Sequence, residues 1–354
     1  MVFLMEPGVH DPSYVIALFG VQYQNLAPEK QKTTSRLLKL LEDSAGHVDC
    51  LLDEQHSASS ASCSTLIFVA YWGSSSDYQS WWAREDVQDF WRSLPDDAGV
   101  WREVMIVSDS RFMHASTADK MTGMSLARMA NLQQSSNEGY WGVYRNRLSA
   151  SKTDDLMSPY ITASTPKIAS GAADKPTLKL ANPTGEPQPV RRGRVYIPKG
   201  IDNLAWVREY QSYRGVQDGE QEMWLKHLTP HAKVWMDHLD KERSKNGILS
   251  FRMSVAVESA DLEYGNAAPL TKINEMNQFA YVLDLAHFER AGRSFEQHRK
   301  LRKNMMELMG PDWAAHLMVE LAVLKASDLE AEYVGCVEGT GLMFLEEIVG
   351  DTKA

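Results

Sequence analysis

Tyr14-Val-Ile-Ala-Leu-Phe-Gly-Val-Gln-Tyr23 opens the first half of the chain, and Asn203-Leu-Ala-Trp-Val-Arg-Glu-Tyr-Gln-Ser-Tyr213 opens the second. Both runs are rich in β-branched and aromatic residues, as strands with buried faces are. The two halves continue in one grammar. After the first run come a helix over Glu29–Glu42, a strand over Thr65–Trp72, a helix over Ser76–Leu94 and a strand over Trp101–Val107. After the second come a helix over Gly219–Arg243, strands over Leu249–Val257 and Gln278–Leu285, a helix over His287–Met309, and strands over His316–Leu324 and Glu332–Val337. Ser74-Ser75-Ser76 and Asp284 stand where a strand hands over to a helix and a short polar side chain can cap it. The pattern predicts an α+β fold of two pseudo-symmetric ferredoxin-like lobes, their sheets face to face as in a dimeric α/β barrel. Residues 1–148 form the first lobe and 193–354 the second. Between them, 149–192 holds Pro159, Pro166, Pro176, Pro183, Pro187 and Pro189 among small polar residues, the composition of a linker or surface arm.

The length of 354 residues suits such a pair, at roughly 150 residues per domain. Lys and Arg number 37 against 47 Asp and Glu, a net charge of −10 that disfavours nucleic acid as a partner, since neutralising phosphates takes an excess of cations. Cys50, Cys63 and Cys336 are too few and too scattered for a disulfide framework or a thiolate metal site, which points to a reducing compartment. No apolar run approaches the roughly 18 to 20 residues that cross a bilayer, and Glu6-Pro7 cuts the N-terminal apolar run. The expectation is a soluble, cytoplasmic protein with no membrane partner.

Nucleotide loops, the nucleophile elbow, H-E-x-x-H and C-x-x-C are all absent, and without C-x-x-C-H there is no covalent c-type haem. The histidines say more. Phe288, Ala291, Phe295, His298, Leu301 and Met305 recur at helical spacing, so His298 projects from the apolar stripe. It is either a satisfied core histidine or an axial imidazole for a haem against that helix, with Met305 and Met306 nearby. His227, His231 and His238 share a helix at metal-compatible spacing, but Lys226, Lys233 and Asp237 around them mark a solvated face. Alternation along 203–210 sets Ala205, Val207 and Glu209 on one face, against Leu204, Trp206, Arg208 and Tyr210. Glu209 is then either a partly buried carboxyl with a raised pKa or a wet strand end. Arg145-Asn-Arg147 after Gly139-Tyr-Trp-Gly142 is an exposed basic turn or the wall of a pocket.

Gly20-Val-Gln-Tyr23, Phe68-Val-Ala-Tyr-Trp72, Trp101-Arg-Glu103, Gly139–Gly142 with Arg145–Arg147, Asn203–Arg208, Phe288-Glu-Arg290, and Glu332-Tyr333 with Cys336 and Thr340-Gly-Leu342 recur in one order and spacing. In these blocks the chain resembles the haem-containing aldoxime dehydratases, phenylacetaldoxime and aliphatic aldoxime enzymes that convert R-CH=N-OH to a nitrile and water. The similarity runs from about Val15 to Phe344. It implies non-covalent haem b between sheet and helix, the proximal iron ligand on His298 with Met305 beside the cofactor, and the pocket arginine on Arg147. Two positions depart from the family: Glu209 stands where it has the serine that holds the oxime hydroxyl, and Val319 where it has the distal histidine acid.

The resemblance therefore implies a haem-dependent lyase acting on an aldoxime or related N-hydroxylated small molecule, with Glu209 and Arg147 as its distal polar pair. A homodimer is compatible with it. Two alternatives stay open: a haem enzyme of the same fold with changed chemistry (peroxide-dependent oxidation, or an N–O or N–N transformation), and a non-catalytic haem-binding or gas-sensing protein.

Overall fold

In the computed structural model the described residues are 2–6, 13–54, 63–135, 144–165, 175–263, 269–308, 310 and 313–350. Their strands are β1 (Phe3–Met5), β2 (Ser13–Tyr23), β3 (His47–Asp53), β4 (Ser64–Trp72), β5 (Val100–Ser108), β6 (Phe112–Ser116), β7 (Leu132–Gln134), β8 (Arg194–Ile197), β9 (Leu204–Ser212), β10 (Ile248–Val257), β11 (Lys272–Val282), β12 (His316–Leu324) and β13 (Leu329–Val334). They hydrogen-bond in the order β7-β1-β6-β12-β9-β11-β10-β3-β4-β2-β5-β13-β8. Within this order β5-β2-β4-β3 and β12-β9-β11-β10 are two copies of one arrangement: fourth strand, first, third, second. Each copy is a β-helix-β-β-helix-β unit, so the expected pair of ferredoxin-like lobes is present.

The lobes are joined twice over. Their second strands pair directly, Leu52 opposite Val255 and Leu51 opposite Ala256. Each lobe also lends a strand to the other. After the turn Asp109–Arg111, β6 leaves the first lobe and pairs with β12, and after the turn Ala326–Asp328, β13 leaves the second lobe and pairs with β5. Facing side chains of both sheets, among them Tyr14, Ile16, Trp101, Trp206, Phe279, Tyr281 and Tyr333, make one buried core between the lobes. Helices cover the outer faces.

The caps read from the sequence form as expected: Ser74 Oγ accepts from the Asp77 N–H at 3.1 Å and Asp284 Oδ1 from the His287 N–H at 2.8 Å. Three long helices are instead interrupted. The one expected over 76–94 breaks at Arg84, whose backbone is extended, into Ser75–Trp82 and Glu85–Arg92. That over 219–243 becomes Asp218–Met223, a π turn Trp224–Leu228 and Thr229–Lys241, because Pro230 has no N–H to give and the widened turn accommodates it. The third breaks at extended Phe295 into Leu285–Ser294 and Glu296–Leu308. The described part of the Pro-rich segment touches both lobes, with Leu156 buried, the Ser158 N–H on Asp284 Oδ2 at 3.0 Å and Arg192 paired with Asp97 at 2.9 Å.

Inside the interlobe core sits a bidentate ion pair. Arg252 of β10 donates through Nη2 to Glu103 Oε1 at 2.7 Å and through Nη1 to Oε2 at 3.0 Å, and the Tyr333 hydroxyl adds a bond to Oε1 at 2.8 Å. Breaking a buried pair leaves an uncompensated charge at a cost of about 3–5 kcal/mol, whereas replacing both partners by apolar groups is often neutral. Arg252→Met should therefore lower the unfolding free energy in guanidinium titration by about that amount, and Glu103→Leu added to it should recover most of the loss.

Candidate active site

The outer face of the second sheet is set by register. Glu209 of β9 lies directly opposite Gln278 on β11 and Val319 on β12, so the three form one row across the sheet. Val207 and Ala280 extend the same face. Opposite this face stand the helices Thr229–Lys241 and Glu296–Leu308, and between sheet and helices is a cleft. It has two adjoining parts, one on the side of Phe288 and one on the side of Met305. Glu209, Trp235, Met236, Gln278, His298 and Arg302 border both parts.

His298 enters from the helix Glu296–Leu308, with Leu301, Arg302 and Met305 on the same side at helical spacing. The break at Phe295 shapes this entry. It frees the Gly292 carbonyl at the end of the preceding helix, and His298 Nδ1 donates to that oxygen at 2.5 Å. The ring packs on Trp235 at 4.7 Å between centroids. Burial holds the imidazole below the usual histidine range; the bond to Gly292 opposes this and Arg302 adds to it. A neutral ring with Nδ1–H fixed on a backbone carbonyl presents Nε2 as its free donor, the arrangement that orients a metal-ligating histidine. Among the described residues no group of three or more His, Cys, Asp or Glu could hold a bare ion. A single imidazole bordering this cleft suits only a metal that brings further ligands of its own.

Across the cleft, Glu209 makes no hydrogen bond or ion pair among the described residues, and burial alone pushes its carboxyl up to about 7. Gln278, which sequence reasoning missed, is 8% exposed, and its Oε1 is buried without a hydrogen-bond partner. Nothing in its own strand marks it, since only the register of β11 on β9 brings it beside Glu209. Val319 is buried in the same row.

Of the other residues singled out by the sequence, Arg147 is half-buried on the turn Tyr144–Arg147. Tyr144 borders the cleft with its ring tilted against Phe288 at 5.4 Å, while Arg147 is not among the bordering residues and has no part in raising the Glu209 carboxyl. Arg145 is held by Glu289 at 3.8 Å. Gly139–Gly142 lie outside the described residues. Met305 borders the cleft, whereas Met306 is 66% exposed. His316 faces the interlobe core, 2.7 Å from Ser116 Oγ, where burial pushes it down to about 4. His227 is exposed, His231 lies 2.7 Å from Gln297 Oε1, and His238 stacks on Phe295 at 4.0 Å.

The chain is similar to known aldoxime dehydratases. The chain is 26% identical over 297 residues to an aliphatic aldoxime dehydratase of Rhodococcus erythropolis, covering 82% of this chain and 75% of that one. It is 24% identical over 289 residues to a phenylacetaldoxime dehydratase of Bacillus sp. (strain OxB-1), covering 80% and 74%. Among solved structures, an aldoxime dehydratase in complex with butyraldoxime superposes with a TM-score of 0.77 at 20% identity, over 97% of this chain and 88% of that one, so the two share a fold. A sequence model of the haem-containing dehydratases matches residues 17–342, nearly the whole chain, and the chain belongs to that family.

Proposed function

We propose that this protein is a haem-dependent lyase that dehydrates an aldoxime, or a related N-hydroxylated compound, to a nitrile, with His298 as the residue that would hold the haem iron. One observation carries the reading: an imidazole oriented by Gly292 faces, across a single cleft, a half-buried carboxyl whose pKa of about 7 lets it hold a proton. The names of the aldoxime dehydratases among its relatives support the substrate class.

Haem, which His298 would hold, would supply a Lewis-acidic iron for the oxime nitrogen. The rest falls to the chain. Glu209, protonated below about pH 7, gives its proton to the hydroxyl oxygen as the N–O bond breaks, so water leaves rather than hydroxide. The carboxylate left behind then accepts the proton from the aldehyde carbon. One N–O and one C–H bond break, a C≡N bond forms, Glu209 regains a proton, and no outside electron is consumed. Val207, Val319 and Phe288 wall the cleft with apolar surface, which keeps the carboxyl dry and its pKa high. The apolar Val319 also favours a second reading, in which the same carboxyl manages the protons of a peroxide; peroxide-dependent turnover without nitrile formation is its signature.

Haem-reconstituted wild type should show a Soret band that shifts in both ferric and ferrous states in His298→Ala; identical spectra would mean the ligand lies elsewhere. Anaerobic conversion of an aldoxime by the dithionite-reduced protein should drop by about 10² to 10⁴ in Glu209→Gln, the usual weight of a positioned proton donor. Because the working form of Glu209 is protonated, the wild-type rate should be level at low pH and fall above about pH 7. A pH-rate profile of the chemical step checks this, and an unchanged rate at pH 9 would exclude Glu209 as the acid.

A further inference from the structure

The geometry points to Gln278 as the group that receives the oxime O–H and so sets the hydroxyl against Glu209, an assignment that rests on the dehydratase reading above. Gln278 lies in mid-strand on β11, directly opposite Glu209. Side chains opposed in this way have Cβ atoms about 4.5–5.5 Å apart, so both can reach one small group above the sheet. The amide is 8% exposed, and its Oε1 has no hydrogen-bond partner among the described residues. Leaving such a carbonyl unpaired in a folded protein costs free energy, which is why buried polar atoms nearly always have partners and an orphan calls for an explanation. Gln278 also stands where three spaces meet: the Phe288 side of the cleft, its Met305 side, and an apolar groove bordered by Trp224 and Met276. Gln278 therefore borders room for a ligand, and a half-turn of its amide, which exchanges Oε1 and Nε2, turns the carbonyl toward that room.

The hydrogen-bonding needs of an oxime hydroxyl match this pair. The hydroxyl has one hydrogen to donate and an oxygen that must accept the proton that makes it leave as water. Glu209 in its acid form donates to the oxygen. It can accept the hydroxyl hydrogen only by turning its own carbonyl to the same atom, whereas Gln278 Oε1 is an acceptor with no other engagement. An amide does not ionise near neutral pH, so Gln278 gives no proton. It is a positioning residue: it fixes the direction of the hydroxyl and leaves the proton transfer to Glu209.

The test separates O–H recognition from mere packing. Ferrous haem-loaded wild type and Gln278→Met are titrated by stopped-flow spectroscopy with an aldoxime and with its O-methyl ether, which has no O–H to give. Loss of one hydrogen bond predicts that the aldoxime binds Gln278→Met about tenfold more weakly while the ether binds both proteins alike. Methionine has nearly the same volume and the amide oxygen has no protein partner to lose, so the melting temperature should not fall. Equal weakening for both ligands, no weakening for either, or a lower melting temperature accompanied by weaker binding of both would overturn the assignment. Gln278→Glu, which retains an acceptor, should bind the aldoxime more tightly than Gln278→Met. If wild type binds aldoxime yet releases no nitrile, the dehydratase reading fails while the contrast between the two ligands still decides the role of Gln278.

Discussion

Two buried carboxylates govern how the lobes meet. Glu103 on β5 and Glu320 on β12 occupy the same place in the two lobes, each on the fourth strand, paired in register with Leu18 of β2 and Arg208 of β9. Both are 0% exposed. A carboxylate so placed is tolerated only if other groups satisfy it, and here each draws on the opposite lobe. Glu103 takes Arg252. Glu320 takes the Tyr71 hydroxyl at 2.8 Å, with His114 at 3.3 Å and the Met124 N–H at 2.8 Å, while Arg208 ties Tyr71 and Asp49 of the first lobe to the second. Both carboxylates also need a glycine to pass close by: a Cβ at Gly341 would collide with Glu103 Oε1, and one at Gly123 with Glu320 Oε1, and both glycines have positive φ. Sliding one sheet over the other would strip these charges of their partners, so the interlobe register is held by electrostatics as well as by packing.

The same equivalence shows why the cleft forms on one lobe. In the second lobe the row is Gln278, Glu209, Val319; in the first it is Phe68, Phe19, Arg102. Phe19 is covered by Trp81 and Trp91 at 5.8 and 6.2 Å, and Arg102 lies over Trp82 at 4.0 Å while pairing with Glu332 at 3.2 Å. Large rings fill the first outer face down to the sheet. In the second lobe the row is polar and medium-sized, and the helix above it breaks at Phe295, so the covering elements stand off. One backbone plan thus yields a filled core on one side and a chemical site on the other.

Local pattern carries the features of this site that are legible in the sequence. Alternation along 203–210 places Glu209 and Val207 together and away from Arg208, and helical spacing puts His298 on the side of Leu301 and Met305. Strand β3, His47-Val-Asp-Cys-Leu-Leu-Asp53, escapes such a reading because alternating polar residues in a short stretch give it no apolar run. The exchange of β6 and β13 between lobes leaves no local trace, since pairing across more than 200 residues is decided by the assembled sheet. The break at Phe295 is hidden because an aromatic residue there continues the apolar stripe, and the bond from His298 to the Gly292 carbonyl that accompanies it exists only in three dimensions. Gln278 is silent for a similar reason: its meaning comes entirely from a neighbour on another strand.

If positions 209 and 319 correspond to the family's serine and histidine, as the resemblance implies, the register makes the two departures neighbours. Position 319 is directly opposite position 209, so a histidine there would stand beside the Glu209 carboxyl. An imidazole at that distance pairs with a carboxylate and draws its pKa down, leaving an ion pair with no transferable proton on the acid. With Val319 the neighbour is apolar, burial is the only influence on the carboxyl, and its pKa rises to about 7. Replacing the serine by glutamate would be unproductive beside a histidine, and losing the histidine would be costly beside a serine. On the proposed mechanism the proton donor would stand on β9 rather than β12, in the same row, and the hydroxyl that the serine would have held would pass to the next polar side chain in that row, Gln278.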